Sequence, residues 1–380
     1  MSAVLSAEER AALEEIDETA LARMLMELLA IPSVTGSAAE SEMQHRLAGQ
    51  LDRLGLDVDL WPVDLPALRA HPDFPGTEAP RDEAWGLVAA TPGGGDGPTM
   101  ILQGHVDVVP PGDLRLRGRV AAHFVVGEED GGLGAFATLQ RGHTGDACLI
   151  TEPTGGTLVT ANAGALTFRI EVPGQATHAS TRDAGVSAID AYVPIHQALA
   201  HLEARRNTAT DPLMAEYATP YALSVGTLRA GDWASSVPDR LVAEGRLGVA
   251  LGEDPAEAVA DFETCVAQTC AQDPWLRDHP AIVTWPGGRF ASGRLPAGHP
   301  LGALVRDAHA DTVGGPRVRE RGAPYGSDLR LYTAADIPTL QFGPGDVRLA
   351  HSTRERVSVP EIAAVARTLV LAALRTVGTR

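Results

Sequence analysis

Short, fully apolar segments closed by glycine or proline are the feature that most limits the folds open to this chain. Four of them lie in the first 150 residues: GLVAA from Gly86, TMILQG to Gly104, VAAHFVV to Val126 and ACLI to Ile150. A strand that is apolar throughout is buried on both faces, as happens in sheets covered by helices on two sides. The pattern therefore predicts an α/β fold with a mixed, mostly parallel sheet and helices on both faces.

The rest of the chain divides into regions by its pattern of apolar and polar residues. Helical periodicity between residues 8 and 56 predicts two amphipathic helices, the second beginning at Ser37. From Gly164 the pattern becomes strand, helix, two strands, helix and strand, which predicts an inserted two-layer β-α-β-β-α-β unit. We expect a discontinuous main domain of residues 1–163 and 285–380, interrupted by an inserted domain of residues 164–284.

The charge and composition exclude several classes of function. Asp and Glu number 49 against 31 basic residues, and the formal charge of -18 disfavours binding to nucleic acid or anionic membranes. No apolar run is long enough to span a bilayer and the N-terminus has no secretory pattern, so a cytoplasmic protein is expected. Every basic residue is Arg, which excludes a Lys Schiff base, a P-loop Lys and a carbamylated Lys. The cysteines, Cys148, Cys265 and Cys270, lack metal-binding spacing and are predicted to be reduced core residues.

The motif GHVDVVP places His105 and Asp107 at the carboxyl end of an apolar strand, the edge of an open α/β sheet where ligands bind. A carboxylate two residues along a strand points the same way as the His and can orient its ring for metal binding. Taken alone, the pair is explained more simply as a strand-end His and a turn Asp.

Three further strand ends carry residues of the same chemistry. GEEDGG offers the adjacent carboxylates Glu128 and Glu129, TEPTGG offers Glu152, and a late LAHS offers His351. One carboxylate of the adjacent pair can bind a metal while the other accepts a proton from water, the division that metal-assisted hydrolysis needs. A solvated acidic loop would explain each run singly, but several such strand ends together favour a site for a zinc-like ion.

These motifs, in this order, resemble the M20 family of metallopeptidases and amidohydrolases. The family includes acetylornithine deacetylase, succinyl-diaminopimelate desuccinylase, aminoacylase and glutamate-releasing carboxypeptidases. The resemblance covers almost the whole chain, through LLAIPSVTGSAAESE, GHVDVVP, GEEDGG, TEPTG, GQATHAS, YGSDLRLY and FGPGDVRLAH. It implies a zinc-exopeptidase-like catalytic domain with an inserted dimerisation domain.

The resemblance also implies roles for single residues. Two metal ions are implied, zinc being expected and cobalt or manganese the alternatives, with four ligands: His105, Glu129, Glu152 and His351. Glu128 would be the general base that takes a proton from the metal-bound water, and Asp107 would orient His105. In the inserted domain of a homodimer, His178 would reach the partner's site and stabilise the oxyanion. Asp328 and Arg330 would line the substrate site, where Arg330 is a candidate clamp for a substrate carboxylate.

The chain departs from the family between the motifs GHVDVVP and GEEDGG. The family has a long segment there with a GRGxxDMKG-like motif whose Asp bridges the two metals, whereas residues 110–119 form the whole gap in this chain and Asp113 is its one carboxylate. A gap this short favours an antiparallel hairpin, which would keep His105 and Glu129 apart. If the strands are parallel instead, the sheet loses a covering helix, and either outcome should expose apolar surface or leave a cavity.

Two functions from different classes follow. The leading one is metal-dependent hydrolysis of an amide bond in an N-acyl amino acid or small peptide. The alternative is an impaired or inactive member of the family, a homodimer that binds a ligand at most, because loss of the bridging Asp should weaken at least one metal and leave one ion or none.

Overall fold

The computed structural model describes residues 5–77, 79–92, 97–104, 118–315 and 317–378. Its helices are α1 (Ala7–Glu14), α2 (Glu18–Leu29), α3 (Ala38–Arg53), α4 (Leu65–Arg69), α5 (Leu133–Gln140), α6 (Ala188–Arg206), α7 (Pro255–Gln272), α8 (Pro300–Thr312), α9 (Leu329–Ala334) and α10 (Val359–Val377). None of the helices in the described part of the chain has the length and apolar character needed to cross a membrane.

The strands are β1 (Asp57–Pro62), β2 (Trp85–Ala90), β3 (Thr99–Gly104), β4 (Arg119–Phe124), β5 (Ala147–Ile150), β6 (Leu158–Asn162), β7 (Gly164–Pro173), β8 (Thr177–His178), β9 (Leu223–Ala230), β10 (Ser236–Val237), β11 (Arg240–Val249), β12 (Ile282–Thr284), β13 (Arg289–Phe290), β14 (Gly293–Arg294), β15 (Glu320–Ala323) and β16 (Thr339–Gln341). Short 3₁₀ turns cover Ala179–Ala184, Pro212–Met214 and Val347–Leu349.

The N-terminal helical region contains three helices where the sequence predicted two. The chain breaks between α1 and α2, where Asp17 accepts hydrogen bonds from the backbone N–H groups of Thr19 and Ala20 and so begins a new helix. Ser37 is the N-cap of α3, as expected. The prediction missed a cap residue inside a pattern of uniform helical periodicity.

The chain forms two compact units. The first contains the residues up to Ala161, Gly293–Gly322 and those from Ser327 onward, and the second contains Asn162–Ser292 with Ala323–Gly326. The second unit has a sheet in the order β12-β7-β11-β9, all antiparallel, packed against α6 and α7. Along β7 every second side chain is buried, because only one face of this sheet is covered by helices.

The first unit is built on a mixed sheet in the order β1-β2-β4-β3-β5-β16-β6-β14, and its central strands β4, β3, β5 and β16 are parallel. Adjacent residues of β3 show that both faces are covered. Met100 packs with side chains of α8 and α10, whereas Ile101 packs with side chains of α5 and α9. The α/β architecture with helices on both faces is therefore confirmed.

The expected hairpin after residue 104 is wrong. β3 and β4 are parallel and in register from Thr99 opposite Arg119 to Gly104 opposite Phe124. The 14 residue steps from Gly104 to Gly118 (118 − 104) can extend to roughly 46 Å. A six-residue strand is roughly 20 Å long. The connection is therefore long enough to reach the start of a parallel neighbour.

Most, but not all, of the apolar surface on these two strands is covered. Met100 and Ile101 of β3 are fully buried, and Phe124 of β4 is buried as well. Among the described residues, however, Leu102 of β3 and Val120 of β4 are only partly buried, so part of the expected exposure is found. The parallel register brings the carboxyl ends of β3 and β4 to one edge of the sheet.

Candidate active site

Three loops that carry predicted site residues leave the same edge of the sheet. β4, β5 and β16 are followed respectively by the turn of residues 127–132, by Glu152 and by the segment that reaches His351. Since the intervening strands are parallel, their carboxyl ends lie together, and a ligand placed at this edge meets all three loops. The site lies wholly within the first unit.

The turn of residues 127–132 requires glycine at defined positions. Gly127 and Gly131 have φ values of +64° and +138°, which side chains disfavour. A Cβ atom on Gly131 would lie 2.3 Å from the carbonyl oxygen of Gly76, so the neighbouring backbone also excludes a side chain. This tight turn presents Glu128 and Glu129 to the edge of the sheet.

His351 and Glu129 are in direct contact. The distance from His351 Nε2 to Glu129 Oε1 is 2.9 Å, and both side chains retain access to solvent, at 75% and 46% exposure. The hydrogen bond and the charge of Glu129 raise the pKa of His351. His351 has a φ of +59°, a left-handed conformation that is uncommon for a residue with a side chain and that clusters at functional sites.

Glu128 lies beside this pair in a strongly negative environment. Burial is the main cause that raises the pKa of Glu128 well above its ordinary value, and the carboxylates of Glu152, Asp328 and Glu129 add to it. The nearby guanidinium of Arg330 acts in the opposite direction. Glu128 is therefore much more readily protonated than a solvated carboxyl group.

Glu152 is held by a tight contact between the β5 and β16 loops. Thr154 Oγ1 is 3.2 Å from the carbonyl oxygen of Gly343 and 3.1 Å from its amide nitrogen. A Cβ atom on Gly343 would lie 2.2 Å from the carbonyl oxygen of Glu152. Charge coupling connects Glu152 to both Glu128 and His351, so Glu128, Glu129, Glu152 and His351 share one electrostatic neighbourhood.

Asp328 and Arg330 lie behind the acidic turn and are buried. Arg330 donates to the carbonyl oxygens of Ser327 and Gly131, each at 2.8 Å, and burial lowers its pKa to about 10. Its guanidinium thus holds the turn from the inner side. The clamping of a substrate carboxylate by Arg330 stays a prediction.

Sequence reasoning missed Gln103 as a member of this site. Gln103 is buried at the end of β3, and its Nε2 donates to Asp328 Oδ2 at 3.0 Å. A buried amide in an otherwise apolar strand, two residues before His105, was the available signal. Gln103 connects β3 to the segment that holds Arg330.

His178 belongs to the second unit and is exposed. It pairs with Ser236 in the two-stranded sheet of β8 and β10, and its Nδ1 lies 2.8 Å from Ser180 Oγ. His105 and Asp107 lie outside the described residues, as does Asp113. The structure therefore brings together Glu128, Glu129, Glu152, His351, Asp328 and Arg330.

The residues at this edge suit a divalent cation in their chemistry. Within the described ranges, no group of three or more His, Cys, Asp or Glu side chains is placed to hold a metal ion, so His351 and Glu129 form a donor pair. An imidazole nitrogen with carboxylate oxygens is a ligand type that zinc accepts. The carboxylates raise the pKa of Glu128, and a bound cation would relieve their repulsion. The residues at this edge thus fit a divalent cation in the type of their donor atoms and in their charge.

Comparison with known proteins points in the same direction. A family model described as the peptidase dimerisation domain matches residues 160–274. The chain is 25% identical over 282 residues to N-formyl-4-amino-5-aminomethyl-2-methylpyrimidine deformylase of Halalkalibacterium halodurans, covering 68% of this chain and 64% of that enzyme. It is 22% identical over 397 residues to acetylornithine deacetylase of Proteus mirabilis, covering 88% of this chain and 90% of that enzyme.

A solved structure shares the fold over nearly the whole chain. The Bacillus subtilis YXEP protein, a dinuclear metal-binding peptidase from the M20 family, matches with a TM-score of 0.62 and 15% identity, covering 96% of this chain and 99% of that chain. The fold is therefore one that a metal-binding peptidase has. The dimerisation-domain match, the two relatives and the shared fold together support an M20-family metallopeptidase or amidohydrolase.

Proposed function

We propose that this chain uses a bound divalent metal ion to hydrolyse the amide bond of an N-acyl amino acid or a short peptide. The contact between His351 and Glu129 carries the proposal, because it places an imidazole and a carboxylate at one point beside a third group, Glu128, suited to proton transfer. The relatives support amide hydrolysis, since one is a deformylase and another a deacetylase.

Glu129 and His351 would hold one ion, expected to be zinc, and His105 with Glu152 would hold a second. Bound metal supplies a Lewis acid that makes water more acidic and polarises the carbonyl of the scissile amide. Asp107 would fix the ring of His105. His178, contributed by a second copy of the chain, would donate a hydrogen bond to the oxyanion.

Glu128 is the proposed proton carrier. Its carboxylate takes a proton from the attacking water and passes it to the nitrogen atom that leaves as an amine. A raised pKa suits this role, because a group that holds its proton more tightly is a stronger base when ionised. The guanidinium of Arg330 acts against this rise.

The missing bridging motif bears on metal content. Two nearby cations without a shared carboxylate repel one another, so we propose that the ion at Glu129 and His351 is held more firmly than the second. Elemental analysis of the purified chain, beside hydrolysis of a panel of N-acetyl amino acids and dipeptides, tests this proposal. Zinc-dependent release of amine supports it. A metal-free chain that stays inert after zinc is added would contradict it and identify an impaired member.

We also propose that the chain is a homodimer through its second unit. The matched family model is a dimerisation domain, and α6 and the edge strand β9 expose apolar side chains on this unit. Ile189 and Val193 on α6 and Leu228 on β9 are each between 44% and 50% exposed. Contact with a second copy would cover these side chains and the free edge of β9.

A further inference from the structure

Arg81 is fully buried between two acidic side chains of the first unit. Its Nη2 lies 3.1 Å and 3.0 Å from the two carboxylate oxygens of Asp130, and its Nη1 lies 3.5 Å from Glu40 Oε2. The side chains of Arg81, Asp130 and Glu40 are 0%, 5% and 12% exposed. We name these three residues the buried triad.

The buried triad holds the turn that carries Glu128 and Glu129 from both sides. Glu40 Oε1 accepts a hydrogen bond from the amide of Gly127, at 3.3 Å, on the near side of the two acids. Asp130 follows them directly and accepts from the amide of Ala79 at 2.9 Å. A further arginine, Arg330, donates a hydrogen bond to the carbonyl oxygen of Gly131 at the end of the turn. Each end of the acidic pair therefore has a charged anchor.

Buried charges are a costly way to hold a fold together. Removing an arginine and two carboxylates from water costs free energy that their attraction only partly returns, and apolar side chains of similar size often serve stability as well. What charged groups add is direction, because hydrogen bonds to ionised partners fix the geometry of the groups they join. Because the buried triad surrounds the acidic turn, the geometry that it fixes is that of the turn carrying Glu128 and Glu129.

We propose that Arg81 is a positioning residue that, through Glu40 and Asp130, sets the orientation of Glu128 and Glu129. Arg81 acts through the two carboxylates, of which Glu40 binds the backbone of the turn, and we assign it no contact with substrate or metal. Its consequence for metal binding rests on the proposed function, whereas the ordering of the turn follows from the contacts of the buried triad itself.

A second arginine of the same unit, with a side chain that is 18% exposed, supplies a control. Arg375 on α10 lies 2.9 Å from Glu9 Oε1 and 2.8 Å from Asp311 Oδ2, so it too joins two carboxylates. Its two carboxylate partners lie on α1 and α8 and not on the acidic turn. Arg375→Gln therefore removes a comparable ion-pair network elsewhere in the unit.

The experiment compares Arg81→Gln, Arg81→Lys and Arg375→Gln with the parent chain. Amide hydrogen exchange of residues 125–133, measured without metal, reports the order of the turn, and calorimetric titration with Zn²⁺ reports metal affinity. We expect Arg81→Gln to speed exchange in this segment and to weaken zinc binding by about tenfold or more. Arg81→Lys should restore part of both, and Arg375→Gln should change neither, even if it lowers the melting temperature as much.

Equal exchange and equal zinc affinity in Arg81→Gln and Arg375→Gln would overturn the proposal. Should Arg81→Gln fail to fold, Asp130→Asn, which keeps the side chain's size, takes its place and is expected to speed exchange in the same segment; unchanged exchange there also overturns the proposal. If the parent chain binds no zinc, the proposed function fails, while the exchange comparison still decides whether Arg81 orders the turn.

Discussion

The imidazole of His351 lies 2.9 Å from the carboxylate of Glu129, although 222 positions separate the two residues in the chain. The contact forms because β4 and β16 end at the same edge of the sheet, and because His351 adopts a left-handed backbone conformation. A residue held in this conformation next to an acid has a defined geometry before any ligand arrives. The pair is the part of the site on which the first prediction depends.

Glu129→Gln should weaken the binding of zinc by about 100-fold, because the amide replaces an anionic donor at this pair. Calorimetric titration with Zn²⁺ measures the change. Glu355→Gln is the matched control, since Glu355 also acts on His351 through its charge but has no proposed ligand role. Equal losses in the two variants would mean that general negative charge, and not a ligand position, attracts the metal.

Glu128→Gln should reduce turnover by about 100-fold or more while zinc binding persists, because the amide cannot accept the proton. Steady-state hydrolysis of the best N-acyl amino acid from the panel gives kcat, and elemental analysis gives the zinc content of the same sample. A variant that retains the parent kcat would remove Glu128 from the mechanism.

Stability should fall in acid because of His123. This side chain is buried against Tyr332, and burial, followed by the charge of His143, lowers its pKa to about 3 from an ordinary 6.5. The unfolded chain therefore binds a proton that the folded chain does not. The stabilisation is complete above pH 6.5 and is lost as the pH falls from there towards 3, at about 1.4 kcal/mol per pH unit.

Urea unfolding at pH 7 and pH 5 measures this effect. His123→Gln removes the titrating group. Between pH 7 and pH 5 the unfolding free energy of the parent should therefore fall by about 2 kcal/mol more than that of the variant. An unchanged difference would show that His123 does not cause the acid sensitivity.

Gly131→Ala should destabilise the first unit by about 3 kcal/mol, since the new methyl group meets both an unfavourable φ and the backbone of Gly76. Gly142→Ala is the control. Gly142 also has a positive φ but no atom within 4 Å of the added Cβ, so its cost should be about 1 kcal/mol. Thermal unfolding compares them, and equal losses would contradict the close packing of the turn.

Val193→Asp should convert a homodimer to monomers, because it places a charge on the exposed apolar side of α6. Sedimentation velocity at several concentrations measures the mass. Ile282→Asp is the control. Ile282 lies on β12, the edge strand at the other side of the same sheet, and is 61% exposed, so its substitution should leave the dimer intact. A monomeric parent chain would end this part of the proposal.

The sequence supported the α/β architecture because the apolar runs before Gly104, Val126 and Ile150 have one plausible environment, a sheet buried on both faces. It also placed Glu128, Glu129, Glu152 and His351 at strand ends, and the structure brings them to one edge. The domain boundaries and the roles of His105 and Asp107 stay predictions.

Two features of the structure were not predicted from the sequence, each for a physical reason. The hairpin expectation used the length of a connection, whereas the parallel register of β3 and β4 also depends on their outer neighbours, β5 and β2. The buried triad escaped because Arg81 and Asp130 lie 49 positions apart, and an isolated arginine in a loop gives no local sign of burial. Pairings at such distances follow from tertiary packing and not from periodicity.

The parallel register of β3 and β4 makes the connection between them an insertion point. Each strand is held by a second neighbour, β5 beside β3 and β2 beside β4, so the register does not depend on the length of the chain that links them. We therefore expect residues removed or added between these strands to leave the loops that follow in place. A family segment grafted into this gap would therefore meet a sheet already in the alignment it requires.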